Sequence, residues 1–136
     1  MQFFLQILIL SVFSMHTAAS EYVVVANQNM HKVSLGQIRA LFLKKSSYVG
    51  DTKIVPLNLG SRNKIRESFE KKILHLHLSR LKSYWMKQHY LGHRPPISMK
   101  SQESIKAFIQ KVDGAIGYIE LKNVDKNTKI LYRWSD

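Results

Sequence analysis

Cysteine is absent from all 136 residues, so neither a disulfide framework nor thiolate chemistry is open to this chain. The fold must rest on its core. Acidic residues are scarce, nine against 21 Lys and Arg, and none of the nine shows the spacing of a catalytic carboxylate pair. No G-x-S-x-G elbow and no G-x-x-x-x-G-K-[ST] loop occurs. An enzymatic reading finds no motif to stand on, and no cofactor is called for. Long hydrophobic runs are confined to Phe3–Phe13, well short of the roughly 20 residues of a membrane-spanning helix. There is no internal repeat, no low-complexity tract and no linker that would divide two domains.

What the chain does have, at its start, is the outline of a leader. Phe3–Phe13 is nearly all apolar, the small residues Thr17-Ala18-Ala19-Ser20 follow, and the polarity changes at Glu21. This is the pattern of a secretory signal peptide over residues 1–20, cleaved after Ala19 or Ser20, although no Lys or Arg precedes Lys32. Cleavage leaves residues 21–136, enough for one domain with one core. The formal charge of +12 belongs wholly to that part, because residues 1–20 contain no Asp, Glu, Lys or Arg. Such an excess favours anionic partners, whether phosphate-like solutes, acidic lipid head groups or nucleic acid, with plain solubility as the competing account. Export makes nucleic acid the poorest fit. A cysteine-free chain suits the bacterial periplasm better than a small extracellular eukaryotic module, which usually needs bridges.

Strand and helix signals alternate from Glu21 onward. Glu21–Asn27 is a β-branched run of the kind found in buried strands. Ser34-Leu35-Gly36-Gln37 fits a capping box, with Val33 and Ile38 as its hydrophobic staple, and Leu35, Ile38, Leu41 and Phe42 make one helical face ending near Leu43. After a loop over 44–52, Lys53–Asn58 forms a second apolar run, in which Pro56 argues for a strand end or an edge. Ser61 opens a helix with Ile65, Phe69 and Ile73 on one face and Lys64, Glu67, Lys71 and Lys72 on the others. A third helix spans about Ser79 to Leu91, holding Leu81, Tyr84 and Trp85 together ahead of Gly92 as a C′ residue. Arg94-Pro95-Pro96 breaks the chain, and Ser101 starts a helix with an Ile105, Phe108, Ile109, Val112 stripe that Gly114 ends. Ala115–Leu121 and Lys129–Trp134 read as strands. The fold class is α/β, a single compact domain with one sheet flanked by helices.

The junction Ile54-Val55-Pro56-Leu57-Asn58-Leu59-Gly60-Ser61-Arg62-Asn63-Lys64-Ile65-Arg66-Glu67-Ser68-Phe69 is the richest in chemistry. It predicts a strand, a tight turn and a helix N-terminus, where unpaired backbone N–H groups and the positive end of the macrodipole favour an oxyanion. Ser61, Arg62, Asn63 and Arg66 would supplement them, the guanidinium forks suiting phosphate or sulfate. A capped helix with a solvated basic first turn is the plainer account. Asn27, at the end of the first strand, could offer its amide to a solute, and an Asx turn is the simpler role for it. His75-Leu76-His77 and His89/His93 are the only paired histidines. Without cysteine or a neighbouring acid they make poor metal sites, and none is assigned. Trp85, Tyr84 and Tyr90 among Lys82 and Lys87 resemble a stacking surface, but their spacing more simply gives a core face and its rim.

Taken in order, Ser34-Leu35-x-Gln37-x-x-x-Leu41-Phe42-Leu43, Ile54-Val55-Pro56, Arg66-Glu67-x-Phe69, Trp85, Gly92, Pro95-Pro96 and Gly114-Ala115-Ile116-Gly117-Tyr118 resemble the periplasmic phosphate-binding protein family. These are the solute-binding components of phosphate ABC transporters, and the likeness is to their short, single-unit exported members. It implies a periplasmic-binding-protein type 2-like fold that binds a solute without catalysis. Gly60 and Ser61 match the start of the family's phosphate loop and Arg66 its basic residue, while Arg62, Asn63, Lys64 and Ile65 stand where small and hydroxyl residues are usual. The expected function is therefore capture of a small oxyanion, inorganic phosphate first, for a membrane transporter or a sensor. The alternative is a structural or interaction module of the envelope that kept the fold and lost the solute site.

Overall fold

The computed structural model describes residues 11–12, 19–76 and 78–136. The expected leader falls almost wholly outside the described residues, as does His77. Seven strands and four α-helices follow in the order β1 (Glu21–Asn27), α1 (Leu35–Phe42), β2 (Tyr48–Val49), β3 (Thr52–Lys53), β4 (Val55–Leu59), α2 (Lys64–Lys72), α3 (Leu78–Tyr90), β5 (Ile97–Met99), α4 (Gln102–Lys111), β6 (Ala115–Glu120) and β7 (Thr128–Ser135). Five strands form one sheet in the order β5-β4-β6-β1-β7, and β2 and β3 make a separate small hairpin. Strands β5, β4 and β6 run parallel, while β1 is antiparallel to both β6 and β7. Among the described residues no helix is long and apolar enough to cross a membrane.

Strand β1 is interior, between β6 and β7, and is buried from Tyr22 to Asn27 because its continuous Val-Val-Val-Ala run is covered on both faces. Helices pack on both sides, as the alternation along β6 makes plain. Tyr118 points toward α1 and α2, where it meets Phe42 and Phe69. The next residue inward, Gly117, points to the opposite face and lies under Ile105 of α4, whose Cγ2 stands 2.6 Å from where a Cβ would sit. The core is continuous through both layers.

Several local signals act as their chemistry dictates. Ser34 accepts from the Gln37 amide and Gln37 Oε1 accepts from the Ser34 amide, completing the capping box of α1. Ser101 caps α4 through the Ser104 amide at 3.1 Å. Two readings need correction. The stretch 44–52 is not a plain loop, since Tyr48–Val49 and Thr52–Lys53 pair around a turn at Gly50 with φ +58°. Of the two readings of Pro56 the strand end holds, since it is the second residue of β4, and the edge does not, since β4 lies between β5 and β6. Pro56 is tolerated there because the β5 ladder begins only at Leu57, so the missing donor falls where one neighbour is absent.

Candidate functional site

The carboxyl ends of the parallel strands β4 and β5 open beside the N-terminus of α2. The helix starts three residues later than Ser61, at Lys64, with Asn63 as N-cap. Two bonds set that boundary: the Asn63 amide donates to the Gly60 carbonyl at 2.9 Å, closing the turn, and Asn63 Oδ1 accepts from the Ile65 amide at 2.8 Å. Both Ser61 and Asn63 are good N-cap residues, and the turn decides for the second. Ser61 and Arg62 are consequently exposed at the tip of the turn. Glu67, in the first helical turn, complements the macrodipole.

An open cleft of about 410 Å³ lies against this turn, lined by Ser61, Arg62, Glu67, Glu70, Lys71 and Leu78. Two of the expected residues, Ser61 and Arg62, line it. The others stand elsewhere. Asn63 is engaged as the helix cap. Arg66 turns back beneath the strand ends, where Nη1 donates to the Leu59 carbonyl at 2.9 Å and reaches Ser98 Oγ at 3.4 Å, while Nε pairs with Glu70 at 3.1 Å. Asn27 lies at the opposite end of the sheet: Ala26 is level with Ile116, which is level with Pro56 near the start of β4. At about 3.3 Å per residue the run from Val55 to Gly60 spans roughly 16 Å, so Asn27 and Ser61 share no solute. The Asn27 amide nitrogen donates to the Ile109 carbonyl and its oxygen accepts from the Asn29 amide, which makes it a buried Asx turn.

Three groups that sequence reading passed over shape this end of the sheet. Tyr118, fully buried, accepts from the Leu59 amide at 3.0 Å and donates to Asn58 Oδ1 at 2.9 Å, and burial pushes its phenol above the ordinary value. Through it β6 fixes the last two residues of β4 and so aims the turn. Ser98 supplies a hydroxyl from β5. Glu70 is the third, and the i, i+4 spacing from Arg66 was its available signal.

Burial pushes the Glu70 carboxyl above its usual value of 4.5, against the opposing pull of Arg66. The folded protein therefore holds this proton more tightly than the unfolded chain, and stability drains away as pH rises from 4.5 through the raised value. Urea unfolding of Glu70→Gln at several pH values should show the variant gaining on the parent above pH 4.5. Loss of ground instead would mean that the Arg66 pairing outweighs burial.

Two of the paired histidines, His75 and His93, are engaged in local structure. His75, at φ +55° after α2, has Nε2 2.7 Å from Arg39 Nη2, while Arg39 Nε donates to the Ile73 carbonyl. His93 Nδ1 lies 2.7 Å from Gln88 Oε1. Among the described residues no three His, Asp or Glu side chains are grouped to hold a metal ion.

A three-strand parallel segment, an antiparallel pair beside it and a helix opening at a strand's carboxyl end make a mixed α/β fold. Two solved structures share that architecture. An ABC-type phosphate transport receptor from Vibrio cholerae superposes with a TM-score of 0.66 at 19% identity, covering 84% of this chain and 46% of the receptor. A structure from Clostridium perfringens with bound phosphate, assigned to the phosphate ABC transporter substrate-binding proteins, gives 0.66 and 19%, covering 84% of this chain and 45% of its own. The chain thus spans less than half the length of either, and at this identity the likeness is one of fold. No family model and no curated protein matches the sequence.

Proposed function

We propose that the chain is a non-catalytic solute-binding domain for a small oxyanion, inorganic phosphate first, working in the periplasm after removal of a leader over residues 1–20. It would hand the solute to a membrane transporter or present it to a sensor. One observation carries the proposal: in a fold shared with phosphate-transport receptors, Ser61 and Arg62 line an open cleft at the N-terminus of α2. A hydroxyl, a guanidinium and helix-end amides are the groups an oxyanion needs. The Glu67 and Glu70 carboxylates on the same cleft disfavour a highly charged guest, so the affinity is modest.

Calorimetric titration of the purified domain with phosphate, sulfate and chloride at constant ionic strength tests this. Saturable phosphate binding that weakens at least about tenfold in Arg62→Ala supports it, a loss of the size expected for one charge-assisted hydrogen bond. Arg62 is the better probe than Arg66, whose removal would also free the Leu59 carbonyl and strand Glu70. Absence of heat at millimolar phosphate would leave the second reading, an envelope interaction module that kept the fold without the solute. The engagement of Arg66 with Glu70 and Leu59 is the observation in its favour.

A further inference from the structure

Between Glu70 and Glu103 the chain has no acidic residue, while seven Lys and Arg and four His fall in the same interval. Helix α3 runs through the middle of it and buries little: Leu81 is its one buried residue, with Tyr84, Trp85 and Gln88 half-buried beside it. At 100° per residue these four occupy one side of the helix. The opposite side is a stripe of Ser79, Ser83, Met86 and Tyr90, the last two one turn apart and 57% and 84% exposed. Lys82 and His89 flank that stripe on one edge, and Arg80 and Lys87 on the other, all exposed. Leu91, 62% exposed, and Arg94 continue the pattern past the helix end.

We propose that this face of α3 docks on an anionic phospholipid bilayer surface. Exposed apolar side chains with small hydroxyls between them and cations along both edges make the arrangement of an interfacial helix, in which the apolar groups enter the head-group boundary and the cations stay level with the phosphates. Tyrosine favours that depth because its ring is apolar and its hydroxyl is not. A bilayer matches the face better than a protein does. Met86, Tyr90 and Leu91 are separate protrusions on a convex helix among cations, which a fluid surface accepts individually, whereas a protein partner would need a matching set of pockets. The thirteen residues of α3 span about 20 Å, a length that lies in the plane of the membrane and does not cross it. The proposal is independent of phosphate capture, since it uses none of the residues of the turn at 60–63.

Sedimentation of the mature chain with vesicles of phosphatidylglycerol and phosphatidylcholine, against phosphatidylcholine alone, tests it. Binding is expected only to the anionic vesicles and should fall steeply as salt is raised to about 0.5 M. Lys82→Glu/Lys87→Glu should weaken it at least about tenfold, at roughly 1 kcal/mol per surface cation. Lys122→Glu/Lys126→Glu, which removes the same charge elsewhere on the exposed surface, should weaken it far less. Met86→Ser/Tyr90→Ser, at unchanged charge, should weaken it about fivefold or more through lost apolar burial. Circular dichroism confirms that each variant is folded. Equal losses from the two charge pairs, full binding by the serine variant, or no vesicle binding at all, as for a protein-docking face, would each overturn the proposal.

Discussion

Replacing Phe69 with alanine is expected to cost about 3–5 kcal/mol, the range for emptying a fully buried aromatic site. The ring is completely buried and joins four elements at once. It stacks on Tyr118 of β6 at a centroid distance of 4.2 Å and 13° between planes, meets Phe42 of α1 edge-on at 4.7 Å, and lies 5.8 Å from Trp134 of β7. No neighbour can collapse into the space without leaving another contact, so the cavity term stays large. A domain of this size is stable by about 5–15 kcal/mol, and the variant would retain a fraction of that. Urea unfolding should show a lower midpoint at an unchanged slope. A loss below about 1 kcal/mol would mean that the aromatic cluster is not the centre of the core. Because the same cluster holds Tyr118, which fixes Asn58 and Leu59, the variant should also loosen the turn at Ser61.

A methyl group added at Gly114 is expected to destabilise the fold by at least about 3 kcal/mol, the upper end of ordinary overpacking. A Cβ there would stand 1.9 Å from the Lys53 carbonyl oxygen and 3.0 Å from its carbon. That obstacle is backbone, so no rotamer change relieves it. Gly114 also accepts from the Val55 amide at 2.8 Å, the bond that starts β4 beside β6. Pushing the two segments apart would weaken the strand whose far end leads into the turn at residues 60–63. Gly60→Ala is the matched control, because nothing lies within 4 Å of a Cβ at that position. Thermal unfolding of the two variants should separate them clearly, and a Gly114→Ala protein as stable as Gly60→Ala would refute the close approach.

Where the local chemistry is self-contained, the sequence is a good guide. The capping box at Ser34, the cap at Ser101 and the buried stripe of Ile65, Phe69 and Ile73 involve residues within a few positions of one another, and each is found. The α/β class follows from the alternation of periods. Strand β5 was not legible, because three residues after Pro95-Pro96, two of them exposed, carry no alternation to read. The interior place of β4 was hidden by Pro56, whose meaning depends on which neighbour begins at Leu57. The candidate site suffered most. Whether Arg66 faces a solute or the Leu59 carbonyl, and whether Asn27 lies near Ser61 or across the sheet from it, are questions of register between strands far apart in sequence. Local spacing contains no answer to them.

The interior place of β1, between β6 and β7, has a consequence for how the chain reaches its fold. Its partners are Ala115–Glu120 and Thr128–Ser135, both roughly a hundred positions downstream. Until they arrive, Tyr22–Ala26 is a Val-rich segment with both hydrogen-bonding edges open, the kind of sequence that pairs with other chains when left waiting. Nearly every contact that closes the sheet is therefore of long range, which slows folding and delays closure until Thr128–Ser135 has been made. The last strand to pair decides when the first is protected: until Thr128–Ser135 is made, the open edge of β1 depends on something else to shield it.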